Sequence, residues 1–210
     1  LELITMSQTT SSLPKRRVPI WVLLLIVAVI VVAAGIVVYM LMPLNGPIPD
    51  GVETHYAGLE QGFTEAGFPR LGSPTAPVLV EDFSSYACPH CRTFHEEQFE
   101  DLLPAIAAGE VQFVMIPIPN IGSGARTAAA GALCAGEQGK FWEMHDTLFD
   151  WQRRFVASVF HERRVKKGAE NLGLDTAAFD ACLDSDRIAT IIDRARQEFD
   201  RRGLSGTPSI

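Results

Sequence analysis

The sequence has no second Cys-x-x-Cys, so its one such motif, Cys88-Pro89-His90-Cys91, has no partner with which to complete a four-thiolate zinc site. Arg92, not His, follows Cys91, which excludes attachment of a c-type haem. No cysteine lies in or just after the apolar run near the N-terminus, which excludes a bacterial lipoprotein anchor. Positive charge is also scarce: the formal net charge is −7, and Glu2, Lys15, Arg16 and Arg17 are the only charged residues before Pro43. The remainder is therefore more acidic still, which favours solubility and gives no reason to expect a nucleic-acid partner. Internal repeats are absent as well.

What is present supports one sizeable domain plus extras: 210 residues, 47% of them hydrophobic. The four cysteines form an even set, suited to an oxidising compartment. Met6 is the first residue able to initiate translation, which makes 1–5 a candidate gene-model extension. Residues 1–17 read as a polar cytoplasmic tail ending in Lys15-Arg16-Arg17. Val18 to Met42 is an uncharged apolar run, long enough to cross a bilayer, with Trp21 and Tyr39 near its ends as interfacial aromatics. A cleaved signal peptide, with Ala33-Ala34-Gly35 as its site, is the rival reading; its apolar core is usually only about 7–15 residues. The expectation is thus a single-pass anchor in the membrane lipid, N-terminus inside, with everything after Met42 outside.

Residues 43–66, with Pro43, Gly46, Pro47, Pro49 and Gly51, read as a linker, holding at most a short strand around Gln61 to Thr64. Val78 to Phe83 reads as a buried strand and Val111 to Ile116 as a second. Between them, Phe94, Phe99, Leu102 and Leu103 mark a helix stopped near Pro104. A helical stretch covers about 121–203. Its segments are alanine-rich Ala125 to Ala135, a helix bearing Phe141 to Phe149, Phe155 to Leu172, a helix capped by Asp175, and one striped by Ile188, Ile191, Ile192, Ala195 and Phe199.

Placed where a strand runs into a helix, Cys88 becomes the N-cap and Pro89 the first helical residue. The free N–H groups and the helix dipole then favour a Cys88 thiolate, and His90, when protonated, adds a second positive charge. Cys88 is read as the exposed nucleophile and Cys91, one turn in, as the buried resolving cysteine. Cys134 and Cys182 lie on separate expected helices, and a structural disulfide between them is preferred to two buried thiols. His95 reads as a surface residue. A copper or zinc chaperone site from Cys88, Cys91 and His95 is the competing use of the motif, although no metal is the preferred expectation.

With Phe68-Pro69-Arg70-Leu71-Gly72-Ser73-Pro74 before the strand, the Cys-Pro-His-Cys at the helix start, Phe141-Trp142-Glu143-Met144-His145 and Gly206-Thr207-Pro208, the chain from Gly67 to Ile210 resembles the DsbA-like thiol–disulfide oxidoreductases of the thioredoxin superfamily. The resemblance implies an α/β thioredoxin-like fold with a helical insertion, preceded here by one transmembrane helix. It implies a membrane-anchored extracytoplasmic enzyme that oxidises reduced secreted proteins through a redox-active disulfide, without a cofactor. A disulfide isomerase or reductase of the same fold is the alternative, and a quinone-linked membrane oxidase is the implied reoxidising partner. By the same resemblance Asp82 is a buried acid exchanging protons with Cys91, and Thr207-Pro208 is a cis-proline loop that binds substrate. The family carries further strands and a closing helix after that loop, so a sequence stopping at Ile210 is expected to be a fragment.

Overall fold

In the computed structural model, residues 19–41, 45–119, 121–156 and 158–210 are described. The basic cluster Lys15 to Arg17, the rest of the expected tail and Met42 lie outside them. The apolar run forms a helix, α1 (Ile20–Leu41, 22 residues). At 1.5 Å per residue it is about 33 Å long, matching the hydrocarbon core of a bilayer. It carries no charged residue, and its length and composition alone make it able to span a membrane.

Among the described residues the second folded unit begins at Asn45, where the sequence predicts a tether, and the structure corrects that expectation. The Trp151 indole N–H donates to the Pro47 carbonyl (2.6 Å), the Asn171 amide to Gly46 (2.7 Å) and the Arg164 guanidinium to Asn45 (2.9 Å). A short helix, α2 (Val52–His55), follows, and Val52 and Tyr56 are buried. Proline and glycine here serve close approach: a Cβ on Gly46 would lie 2.6 Å from the Gly168 nitrogen.

Four strands then make one sheet: β1 (Gln61–Phe63), β2 (Pro69–Leu71), β3 (Val78–Ser84) and β4 (Val111–Pro117), in the order β1-β2-β4-β3. β3 and β4 are parallel, in register from Val78 against Val111 to Ser84 against Pro117, while β2 is antiparallel to β4. Parallel pairing requires a crossover. It is supplied by α3 (Pro89–Phe94), a π-helical segment (His95–Phe99) and α4 (Glu100–Ala107). Pro104 does not stop this helix. It sits inside α4 on the exposed face, at the cost of one intrahelical hydrogen bond.

The remaining helices are α5 (Ala125–Glu137), α6 (Phe141–Arg154), α7 (Glu162–Asn171), α8 (Thr176–Leu183) and α9 (Asp186–Arg201). The helix expected from Phe155 instead starts at Glu162, after a connection through His161. α5 is central to this layer, and its small residues let its neighbours close in. Its Gly131 admits Val165, whose Cγ1 would lie 2.4 Å from an added Cβ. Asp175 caps α8 by accepting from the N–H groups of Ala177 and Ala178. The α9 stripe of Ile188, Ile191, Ile192, Ala195 and Phe199 is buried throughout.

Cys134 of α5 and Cys182 of α8 are joined by a disulfide across a sequence separation of 48. Closing a loop of this size restricts the unfolded chain by about 4 kcal/mol. Replacing both cysteines by Ala should lower the urea-unfolding free energy by up to that amount while leaving Cys88 and Cys91 reactive; an unchanged midpoint would remove the disulfide from the stability argument.

Candidate active site

β3 delivers the chain to the site. Its last residues Phe83 and Ser84 are buried, and a tight turn, in which the Cys88 N–H bonds the Ser85 carbonyl (3.0 Å), leads into α3. Cys88 is the N-cap (φ −92°, ψ 121°) and Pro89 the first helical residue, where a missing N–H leaves nothing unpaired. Cys88 is not the exposed nucleophile the sequence predicts: it is only 7% exposed. The cause is the segment Gly206 to Ser209, which an antiparallel bridge between Ser209 and Phe83 holds over the helix start. The Thr207–Pro208 peptide bond is cis, and the Thr207 carbonyl accepts from the Cys88 thiol at 3.3 Å. Pro89 and His90 form the exposed rim.

The two sulfurs are shifted in opposite directions. Burial alone would raise the Cys88 thiol, but a hydrogen bond with Thr207 and those from the backbone N–H groups of Cys91 and His90 outweigh it and hold it below its usual value. The Thr207 hydroxyl, buried without another partner, is free to donate to a thiolate here. Cys91 is fully buried, and that burial pushes its thiol up to about 12, against the opposing Ser85 N–H, which donates to its sulfur at 3.3 Å. Asp82 is 3% exposed, and burial raises its carboxyl to about 7, partly countered by the Ser84 hydroxyl that donates to it. The Ser84 side chain also opposes the rise at Cys91, so it acts on both the acid and the inner sulfur. Glu81 points away, paired with Arg202 at 2.7 Å.

His95 is not a surface residue. It is buried and stacked between Phe99 and Phe149 (ring centroids 5.4 and 4.8 Å), because the π-helical segment it heads is packed beside α6. Its ring nitrogens engage His145 (3.2 Å) and Asp146 (3.3 Å), so it does not join Cys88 and Cys91 as a ligand set. Sequence reasoning missed a second group altogether. On α6, His145 Nδ1 meets the Tyr86 hydroxyl at 3.0 Å, and two turns later the Gln152 amide donates to the carbonyls of Tyr86 and, at 3.0 Å, Cys88. The seven-residue spacing that puts His145 and Gln152 on one face of α6 was readable; that this face supports the cysteine turn was not.

A sheet-borne dithiol at a helix start, under a cis-proline segment and backed by a helical layer, defines a thioredoxin-fold dithiol protein. A thioredoxin sequence profile matches residues 65–210, so the chain belongs to the thioredoxin family, and it is similar to DsbA-like thiol–disulfide oxidoreductases. It is 34% identical over 89 residues to Disulfide bond formation protein D of Bacillus subtilis, covering 41% of this chain and 40% of that protein. It is 31% identical over 139 residues to the Na(+)/H(+) antiporter NhaA 3 of Salinispora tropica, a match spanning 66% of this chain and only 20% of the antiporter. Among solved structures, a thioredoxin-like oxidoreductase from Silicibacter pomeroyi superposes with a TM-score of 0.58 at 30% identity, covering 68% of this chain and 78% of the other. BdbD from Bacillus subtilis superposes at 0.62 with 24% identity, covering 71% and 84%.

Two measurements test the site. In the reduced protein, thiolate absorbance against pH should show one cysteine titrating below the ordinary value of about 8.5. Cys88→Ala should remove that step and leave no thiolate below pH 10; a step that survives belongs to another group. Asp82, its folded value raised from 3.8 to about 7, binds its proton more tightly folded than unfolded, so stability falls as pH rises through that window. Asp82→Asn should therefore stabilise the protein at pH 8, by on the order of 4 kcal/mol, and give no gain at pH 3. An equal effect at both pH values would refute the shift.

Proposed function

We propose that Cys88 and Cys91 carry out thiol–disulfide exchange, and that the pair works as an oxidase of dithiols in secreted proteins. The observation that carries this reading is the depressed Cys88 thiol at the front of α3 beside a buried, high-pKa partner. In the oxidised protein a substrate thiolate attacks Cys88 Sγ, and Cys91 leaves with the electron pair of the broken S–S bond. Cys91, whose thiol holds its proton tightly, takes one from Asp82, which is poised near neutrality, with Ser84 acting on both. A second substrate thiolate then attacks the substrate sulfur of the mixed disulfide, and Cys88 departs as a thiolate. Two electrons pass to the protein, and the substrate leaves oxidised.

The lowering of the Cys88 thiol favours this direction. Each unit by which a thiol lies below the ambient pH stabilises the reduced protein by about 1.4 kcal/mol, or about 30 mV for two electrons. His90, next but one to Cys88 in the chain, acts the same way when protonated, and the cis Thr207–Pro208 backbone is the substrate-docking edge. The proposed location of the catalytic unit is outside the cytoplasmic membrane, periplasmic or at the cell exterior; supporting it, α1 is apolar throughout, Lys15 to Arg17 precede it, and the Cys134–Cys182 disulfide suits an oxidising compartment. Reoxidation falls to a quinone-linked membrane partner.

Equilibration with glutathione decides between oxidase and reductase. The expected potential lies well above the value of about −270 mV typical of thioredoxin. A potential near that value would leave an exchange protein working in the other direction, and a wild-type protein unable to exchange with a dithiol peptide would remove the enzyme altogether.

A further inference from the structure

Beneath the cysteine turn runs a line of hydrogen bonds joined through one ion pair, that of His95 with Asp146. Glu100 meets His55 Nε2 (3.0 Å), and His55 Nδ1 meets Asp146 Oδ2 (2.7 Å). Asp146 Oδ1 meets His95 Nε2 (3.3 Å), His95 Nδ1 meets His145 Nε2 (3.2 Å), and His145 Nδ1 meets the Tyr86 hydroxyl (3.0 Å). His95, His145 and Asp146 bring donor atoms within 4.8 Å of one another, but they are not arranged around a cation. Asp146 and His145 sit on opposite ring nitrogens of His95, and a metal at about 2.1 Å from each ligand could not contact both from one place.

The polarity of the line follows from one charge. Asp146 is largely buried, which alone would raise its carboxyl, yet the hydrogen bonds from His55 and His95 hold it well below the usual range, so it is an anion. Tyr56 also donates to it, at 2.5 Å. An anion here accepts from His95 Nε2–H. Carrying a single proton, on Nε2, His95 accepts at Nδ1, from His145 Nε2–H. His145, which burial keeps neutral, must in turn accept at Nδ1, from the Tyr86 O–H. The rings have little freedom to turn over: Phe99 and Phe149 flank His95, and Phe149 and Tyr86 pack edge-on against His145.

We propose that Asp146 is a positioning residue for the dithiol: by fixing the tautomers of His95 and His145 it makes the Tyr86 hydroxyl a donor into α6, and so holds the Ser85–Cys88 turn where the Ser85 N–H meets the Cys91 sulfur. This rests on the reading of Cys88 and Cys91 as an exchange pair and adds to it a control point remote from the sulfurs. Tyr86 is 1% exposed and adjoins Ser85, whose N–H stabilises the charge that Cys91 bears when it leaves Cys88. Gln152 fixes the other side of the same residue through its carbonyl.

Imidazole nitrogen spectra of the isotope-labelled wild-type protein give the first test: both His95 and His145 should carry their proton on Nε2. A proton on Nδ1 of either ring overturns the inference, whatever any variant does. The second test is the rate at which dithiothreitol opens the Cys88–Cys91 disulfide. Asp146→Asn and Tyr86→Phe should each slow it roughly tenfold, the worth of one charge-assisted hydrogen bond, and the double variant should be no slower than either. Additive losses, or an unchanged rate in Tyr86→Phe, would sink the proposal. Should Asp146→Asn fail to fold, the wild-type tautomers and Tyr86→Phe still decide. If wild-type protein does not react with dithiothreitol, the exchange reading fails, while the spectra report on the relay independently.

Discussion

One sulfur at the front of one helix organises this structure. Cys88 sits at the N-cap of α3, where backbone N–H groups without helical partners converge. Three different parts of the fold exist in their present form around it. β3 ends in a buried Phe83-Ser84 that fixes where the helix begins, Thr207 closes over the sulfur from the far end of the chain, and α6 holds the turn from beneath. The two thiols shift in opposite directions: at Cys88 the backbone N–H groups of the open helix end outweigh burial, whereas at Cys91 deeper burial outweighs the Ser85 N–H.

This geometry divides the work between sheet and helical layer. The sheet supplies sulfur, acid and the Thr207 backbone, all tied to β3, so their separations are set by strand pairing. The helical layer supplies orientation, through His145 and Gln152 on α6, and it can do so because α5 and α7 pack tightly behind. A Cβ added to Gly168 would lie 2.5 Å from the Trp151 ring, and one on Gly131 2.4 Å from Val165. The stretch from Asn45 to Tyr56 belongs to the same support, since Trp151 and Arg164 take its carbonyls and Tyr56 reaches Asp146.

Much of this was legible in the sequence because it is local. A β-branched run before Cys-Pro-His-Cys specifies strand, turn and helix start; Asp175 announces a cap; the α9 stripe has helical period. The missed features are those in which distant residues decide. Asn45 to Tyr56 has the composition of a tether, but its carbonyls are satisfied by side chains about a hundred positions later. His95 reads as a surface residue on a regular helix, whereas the π-helical segment shifts the register and packs it against α6. Cys88 reads as exposed because nothing beside it in sequence reveals that Thr207 covers it.

The two buried acids show why neither position tolerates the other's environment. Burial raises both carboxyls, and only the donors differ. Asp82 has the Ser84 hydroxyl and stays near neutrality; Asp146 has Tyr56, His55 and His95 and remains charged. A permanent anion at Asp82 would repel each thiolate that exchange creates at Cys88 or Cys91, and it would hold no proton to give the inner sulfur. A neutral acid at Asp146 would leave His55, raised to about 9 chiefly by Asp146, with Glu100 alone as counter-charge, and would let the His95 tautomer reverse. The chain thus keeps its fixed negative charge on α6, compensated by a histidine at the rim, and places the acid that can change charge beside the sulfurs, where charge must change.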